Sequence, residues 1–486
     1  MNLSCVVLAG GLGTRMKSAV PKVLHKVCGF PMLQAVVATA RKLNPDRIIV
    51  VAGKDLGLIR EEVAGSDIVF ALQEEPKGTG HALRCARPLL KNVRTVIVLS
   101  GDTPLLGART LKKFLHLHRR EGNALSVLSF RAANPHAYGR IVRDGSGKIL
   151  SIVEESDADE LQRRIDEVNG GVYAINDNAL DVLNSIKINR AKGEYYLTDI
   201  VAAAVRRGLG IEAYCIGSEE ELLGVNTRRE LYTASRLMKK RIIDHWIDRG
   251  VLFLDTDSVF IHPEVSIGRE TTIYPNVYLE GQTKIGKNSV IYPNVRIRNS
   301  IIGRDVVIKD SSVIEDSRVR DRASVGPFAR IRPASEIGRE ARIGNFVEVK
   351  SSVIGAKTKA SHLSYLGDAV IGGNVNIGAG AITCNYDGVH KRRTLIEDDV
   401  FIGSDAQLVA PVRIGRGAYV GAGSTITHDV PPLSLAVSRA RQRNIEDWAR
   451  KRQLKMKNEK VKGEKRTAVR KKLHVVKRTI PFTAGR

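Results

Sequence analysis

Between residues 267 and 430 an aliphatic residue returns at every sixth position, and the positions between are mostly polar or small. Ile267, Ile273, Leu279, Ile285, Ile291 and Ile297 keep this spacing without a slip. After a five-residue step it resumes at Ile302, Ile308 and Ile314, and after another at Val325, Ile331, Ile337, Ile343 and Val349. A last run takes in Ile396, Ile402, Leu408, Ile414, Val420 and Ile426. A helix repeats about every 3.6 residues and a strand about every 2, so the pattern is neither. A fixed short period signals a solenoid, and a period of six predicts a parallel β-helix of three-sided coils. Each aliphatic residue is expected to point inward from one face, with the Gly that often follows it easing the next corner. Stacked at about 4.8 Å, the stretch makes roughly nine coils and about 40 Å of prism.

Residues 1–226 follow a different pattern. Apolar runs that read as buried strands (Cys5–Leu8, Arg47–Val51, Ile68–Leu72, Thr95–Leu99, Ala124–Phe130) alternate with helical periodicity at 31–43, 79–90 and 108–121. This alternation predicts βαβ units and a mostly parallel, Rossmann-like sheet. Residues 228–249, dense in Arg, Lys, Leu and Ile, predict a helical rod ended by Gly250. The expected organisation is therefore α/β. An α/β domain spans 1–227, a helical linker 228–249, a β-helix domain 250–449 and a basic tail 450–486.

Composition adds three constraints. The hydrophobic fraction of 43% is that of a globular protein, and no apolar run approaches the roughly 20 residues of a membrane span. Five scattered cysteines without a CxxC pair predict free thiols in a reducing cytoplasm. The chain starts on a strand-like segment with no basic-then-apolar leader, which fits that expectation. The net charge is +25, but residues 450–486 hold fifteen Lys or Arg against two Glu. So charged a segment is expected to stay disordered and to offer nonspecific contact to polyanions.

Candidate chemistry lies at predicted strand ends, where open α/β sheets bind ligands. The first carries Leu8, Ala9, Gly10, Gly11, Leu12, Gly13, Thr14, Arg15 and Met16, followed by Pro21-Lys22. Backbone N–H groups of such a turn can approach phosphate closely, and Arg15 and Lys22 can neutralise it. Neither a Walker A loop nor a dinucleotide GxGxxG is present. Another strand runs into Ser100-Gly101-Asp102, whose carboxylate suits a hard cation such as Mg²⁺. Thr227 and Glu230 form a candidate capping box just after Asn226. In the prism the hexad pattern is broken by Cys384–Leu395, an insertion that should leave one face as a loop. His362 lies shortly before it.

GxGTRM followed by Pro-Lys resembles the signature of sugar-nucleotide pyrophosphorylases. Joined to a hexapeptide prism, residues 1–447 resemble the bifunctional GlmU family in matching order. The resemblance implies an N-acetylglucosamine-1-phosphate uridylyltransferase fused to a glucosamine-1-phosphate N-acetyltransferase, feeding cell-wall precursors. It also implies a left-handed β-helix and a homotrimer with acetyltransferase sites between prisms. Carried over residue by residue, it places UTP and the sugar nucleotide on Leu8, Ala9, Gly10, Gly11, Lys22, Gln73, Gly78, Thr79, Gly139, Glu154, Asn169 and Asn226. Gly193–Asp199 matches a motif near the same pocket. Mg²⁺ falls to Asp102 and Asn226, and transition-state charge to Arg15 and Lys22. His362 is implied as the general base of acetyl transfer, with Glu348 a candidate to orient it. Arg332, Glu348, Lys350, Tyr365, Asn376, Asn385 and Tyr386 match glucosamine-phosphate contacts. Ala379, Ser404, Ala422 and Arg439 match contacts to the co-substrate acetyl-CoA. Two rivals are a pyrophosphorylase whose prism only assembles oligomers and a regulatory scaffold sharing both folds. His362 with Asn385-Tyr386 counts against the first, and Arg15, Lys22, Asp102 and Asn226 count against the second.

Overall fold

The computed structural model describes residues 2–476 apart from Leu12, Ala64 and Ala191. Leu12 of the Gly-rich turn and residues 477–486 of the basic tail therefore lie outside the described residues. The predicted strands of the first half form as Leu3–Leu8, Arg47–Ala52, Ile68–Leu72, Thr95–Ser100 and Leu125–Arg131. Leu3–Leu8 pairs in parallel with both Arg47–Ala52 and Thr95–Ser100. Glu167–Asn176 then inserts antiparallel between Thr95–Ser100 and Leu125–Arg131. Strands as apolar as Val6, Val7, Val50 and Val98 need cover on both faces, and two separate apolar clusters supply it.

The helix Arg228–Ile247 carries the capping box at its start: Thr227 Oγ1 accepts from Glu230 N at 3.2 Å, and Glu230 Oε2 accepts from Thr227 N at 2.8 Å. One side of the helix packs with Val27, Met32, Leu105 and Val225 of the first half. Ile242 and Trp246, further along, pack against the prism core. The units also touch directly: the Lys239 ammonium lies 4.5 Å from the Phe260 ring centre, and a side chain on Gly29 would collide with His262.

The prism is built as the six-residue period predicts. Among the described residues its three faces hold eleven, ten and nine parallel strands. The first face runs from Leu252–Phe253 to Leu435–Ala436, the second from Phe260–Ile261 to Thr425–Ile426, and the third from Ser266–Ile267 to Val412–Ile414. The aliphatic residues fill one continuous core. A second inward row, which the sixfold count alone does not pick out, sits two positions earlier: Val277 before Leu279, Thr283 before Ile285, Ser289 before Ile291. Its hydroxyls are satisfied inside the prism, as where Ser289 Oγ donates to Gly303 O at 3.1 Å.

Two expectations need correction. The Gly after each aliphatic residue does not turn the corner. A Cβ on Gly286 would meet Gly303 O at 2.4 Å, and one on Gly355 would meet Gly372 O at 2.2 Å. These glycines let coil backbones approach one another. The left-handed corner residue comes two positions later, as Asn288, Asp305, Lys357 or Asn374, mostly types that tolerate positive φ. The tail, expected to be disordered, forms a helix over Trp448–Val476. Up to Pro481 it holds no Pro and one Gly, among good helix formers such as Lys, Arg, Gln and Leu. Its described side chains, through Lys471, are all exposed, so propensity and not packing favours it.

Candidate active sites

Four polar side chains from distant parts of the chain converge at the carboxyl end of the first sheet. Lys22 Nζ forms an ion pair with Asp102 and also donates to Asn226 Oδ1 at 3.1 Å. Arg15 donates to the same Oδ1 at 3.0 Å. The backbone fixes the partners, because Gly101 N donates to Leu8 O and Val225 N to Asp102 O, both at 2.9 Å. One ammonium thus touches both the Asp102 carboxylate and the Asn226 amide oxygen. Two such oxygens around one point form an incomplete oxygen shell, the donor set suited to Mg²⁺, which keeps water and phosphate ligands of its own. Among the described residues no group of three His, Cys, Asp or Glu could hold a metal.

A pocket wall continues from this point. Gln73 is buried, and its Nε2 donates to Gly78 O at 3.1 Å. Gly10 lies flat against it, since a Cβ there would meet Gln73 Oε1 at 2.5 Å. Gly78 has φ +90°, and a Cβ on it would strike Tyr195 O at 2.7 Å. Thr79 Oγ1 accepts from Leu197 N at 3.1 Å, so the Gly193–Asp199 segment closes over this turn. Glu154, Asn169 and Gly139 form a neighbouring group. Asn169 N donates to Gly139 O at 2.8 Å, and a Cβ on Gly139 would lie 3.7 Å from both Glu154 Cδ and Asn169 Cβ. Burial pushes the Glu154 carboxyl above its usual range, opposed by the Thr198 hydroxyl that donates to it at 2.9 Å.

On the prism, the second candidate site straddles the corner between the first and second faces. His362 ends a first-face strand, Lys359–His362, and Asn376 opens the next strand of that face. Arg332, Glu348, Lys350 and Tyr365 lie on or beside the second face, with Glu348 in register with Tyr365. Glu348 was the candidate to orient His362, and the structure gives that contact to another residue. Arg332 holds the Glu348 carboxylate at 2.8 Å, while His362 Nδ1 lies 2.6 Å from Asn345 Oδ1. Asn345 was missed because neither its type nor its place in the hexad marks it. Its signal is positional, one coil before His362.

Ala379, Ser404 and Ala422 stack at this same corner on successive coils. Asp405 N donates to Ala379 O at 2.7 Å and Gly423 N to Ser404 O at 2.8 Å. Arg439 folds back to donate to Ala422 O at 2.6 Å. A column of small side chains leaves room for an extended ligand, with a guanidinium at its far end. The insertion leaves from the opposite edge of the second face. Asn385 is buried there, bonded to Asp368, whereas Tyr386 and the residues through Arg393 are exposed.

Comparison with known proteins agrees with both halves. The MobA-like NTP transferase domain matches residues 5–168. The GMPPB C-terminal domain matches residues 256–335, and the bacterial transferase hexapeptide (six repeats) matches 393–428. The chain is 51% identical to the bifunctional protein GlmU of Thermodesulfovibrio yellowstonii over 450 residues, 93% of this chain and 99% of that one. The chain belongs to the GlmU family. The GlmU proteins of Geotalea uraniireducens and Clostridioides difficile are 46% and 43% identical over 93% and 94% of this chain, each covered to 99%. The nucleotidyltransferase-type and hexapeptide matches lie on one polypeptide. Among the described residues no helix is long and apolar enough to cross a membrane.

Proposed function

We propose that the chain makes UDP-N-acetylglucosamine in two steps: acetyl transfer from acetyl-CoA to glucosamine 1-phosphate on the prism, then uridylyl transfer from UTP in the first half. The observation that carries this reading is the meeting of Arg15, Lys22, Asp102 and Asn226 on one chain with a separate His362 corner. The uridylyl acceptor is already an anionic phosphate oxygen, so it needs no strong base. Positioning and charge neutralisation supply the rate. Asp102 and Asn226 would hold Mg²⁺, which when bound offsets the charge of the UTP phosphates. Lys22 and Arg15 would offset the charge of the α-phosphate and the departing pyrophosphate. Gln73 and the Gly10 and Gly78 turns suit a flat uracil, and Glu154, Asn169 and Gly139 suit the sugar.

In acetyl transfer the amine must be neutral to attack the thioester. With Nδ1 occupied, His362 offers Nε2 as the base. A neutral imidazole nitrogen can take up the amine proton, and a positioned base contributes about 10²–10⁴-fold. Arg332, Lys350, Tyr365, Asn376, Asn385 and Tyr386 would take the sugar phosphate. The small-residue column Ala379, Ser404, Ala422 with Arg439 would take coenzyme A. A homotrimer fits these positions. The exposed insertion starts one face-width from its own His362, and Phe328, Phe346, Leu363, Phe401 and Tyr419 present exposed apolar surface around the same corner.

The test is to separate the chemistries. Asp102→Asn should abolish pyrophosphate release and leave thiol release from acetyl-CoA near wild type, and His362→Ala should do the reverse. Loss of both activities in either folded variant would sink the two-site assignment.

A further inference from the structure

The pair Asn345–His362 is built into the prism by a local change of strand length. Among the described residues of the prism, strands run two or three residues except Arg342–Asn345 and Lys359–His362, which run four. These two are partners. Their register is Arg342 with Lys359, Ile343 with Ala360, and, past the usual strand end, Asn345 with His362. The extension carries the ladder up to the corner and sets the two side chains opposite one another. The bond between them, 2.6 Å from Nδ1 to Oδ1, is short for a nitrogen–oxygen contact. Gly344 permits it, because a Cβ there would meet Ser361 O at 1.9 Å. Phe346 and Leu363, the next residues in each coil, take left-handed φ values of 57° and 43°. This is the left-handed corner conformation that recurs along the prism, as at Asn288, Phe328 and Lys357, so the two extended strands run directly into their corners.

We infer that Asn345 is a positioning residue for acetyl transfer: its amide oxygen accepts the Nδ1 proton of His362, which fixes the ring and leaves the lone pair on Nε2. The inference rests on the reading of His362 as the base. An amide suits this role better than a carboxylate. It selects the tautomer without adding a negative charge that would hold the imidazole protonated and unable to accept a proton.

The test is the pH dependence of kcat/KM for acetyl transfer in Asn345→Leu, Asn345→Asp and His362→Ala, with uridylyl transfer measured on the same preparations. Asn345→Leu should lower kcat by about 10- to 100-fold, the range known for removing the orienting partner of a metal-bound His, with KM for glucosamine 1-phosphate little changed. Asn345→Asp should retain more activity but move the acid limb upward by about one unit or more, since a carboxylate beside Nδ1 favours imidazolium. Nitrogen NMR of labelled His362 should show the proton on Nδ1 in the wild type and a tautomer mixture in Asn345→Leu. If Asn345→Leu disturbs folding, Asn345→Asp and the wild-type NMR signal still decide the matter. An unmoved acid limb in Asn345→Asp, or wild-type kcat in Asn345→Leu, overturns the inference. Full activity in His362→Ala overturns the base reading beneath it.

Discussion

Gly344 precedes Asn345 and faces the backbone of the coil that carries His362. An added methyl group there would lie 1.9 Å from Ser361 O and 2.5 Å from Ser361 C, where real Cβ contacts essentially never fall below 3.0 Å. The obstacle is backbone, not the flexible end of a side chain, so Gly344→Ala must shift the two coils apart by about an ångström. Overpacking of this kind costs typically about 1–3 kcal/mol, and a rigid ladder on both sides argues for the upper end. A misplacement of about 1 Å in a catalytic group costs about 10²-fold in rate. Gly344→Ala should therefore lose about 100-fold in acetyl transfer while uridylyl transfer, in the other half of the chain, stays within a few-fold. Thiol release and pyrophosphate release on one purified sample give both rates, and a denaturant titration gives the stability. Gly355→Ala is the control. It meets Gly372 O at 2.2 Å, so it should cost similar stability, but it lies beyond a different strand from His362 and should spare more of the rate. Wild-type acetyl transfer with unchanged stability in Gly344→Ala would refute both the close-approach role of these glycines and the rigidity of the corner.

Lys357→Gly, at a left-handed corner with φ 61°, should be neutral or stabilising, by up to about 1 kcal/mol, because positive φ suits Gly; clear destabilisation would restore the corner role to the preceding Gly355. Burial raises the Glu154 pKa in the fold, so its contribution to stability is fully present below the unfolded value near 4.5 and is lost as pH rises through the folded one. Glu154→Gln should remove that loss, giving equal or greater stability at neutral pH with weaker binding of N-acetylglucosamine 1-phosphate; a melting series from pH 4 to 8 checks the sign. Light scattering should return about three times 53.3 kDa, and a monomer with full acetyltransferase activity would contradict the shared site. A chain ending at Lys451 should keep both rates within a few-fold and lose much of its salt-sensitive retention on a polyanion column; loss of acetyl transfer in a chain that still assembles would place the tail in the active site.

The six-residue period was legible without any structure because a prism of stacked coils repeats its inward positions at a fixed interval. The alternation of strands and helices before Thr227 was equally legible, since a sheet covered on both faces needs uninterrupted apolar strands such as Cys5–Leu8 and Thr95–Leu99. Asp102, Asn226 and His362 were singled out through the family resemblance, and the capping box at Thr227 from spacing. Sequence could not show that Lys22 reaches both Asp102 and Asn226, because those contacts join residues 80 and 204 positions apart. It assigned the glycines to corners because composition does not distinguish a left-handed φ from a close approach, and only the neighbouring coil supplies the difference. The partner of His362 escaped for the same reason. Glu348 has the stronger chemistry on paper, but the coil register puts Asn345 opposite the ring and Arg332 on the glutamate. Local pattern determined which elements form and which face inward. Tertiary stacking decided which side chains meet, because the stack sets each residue against one a full coil away.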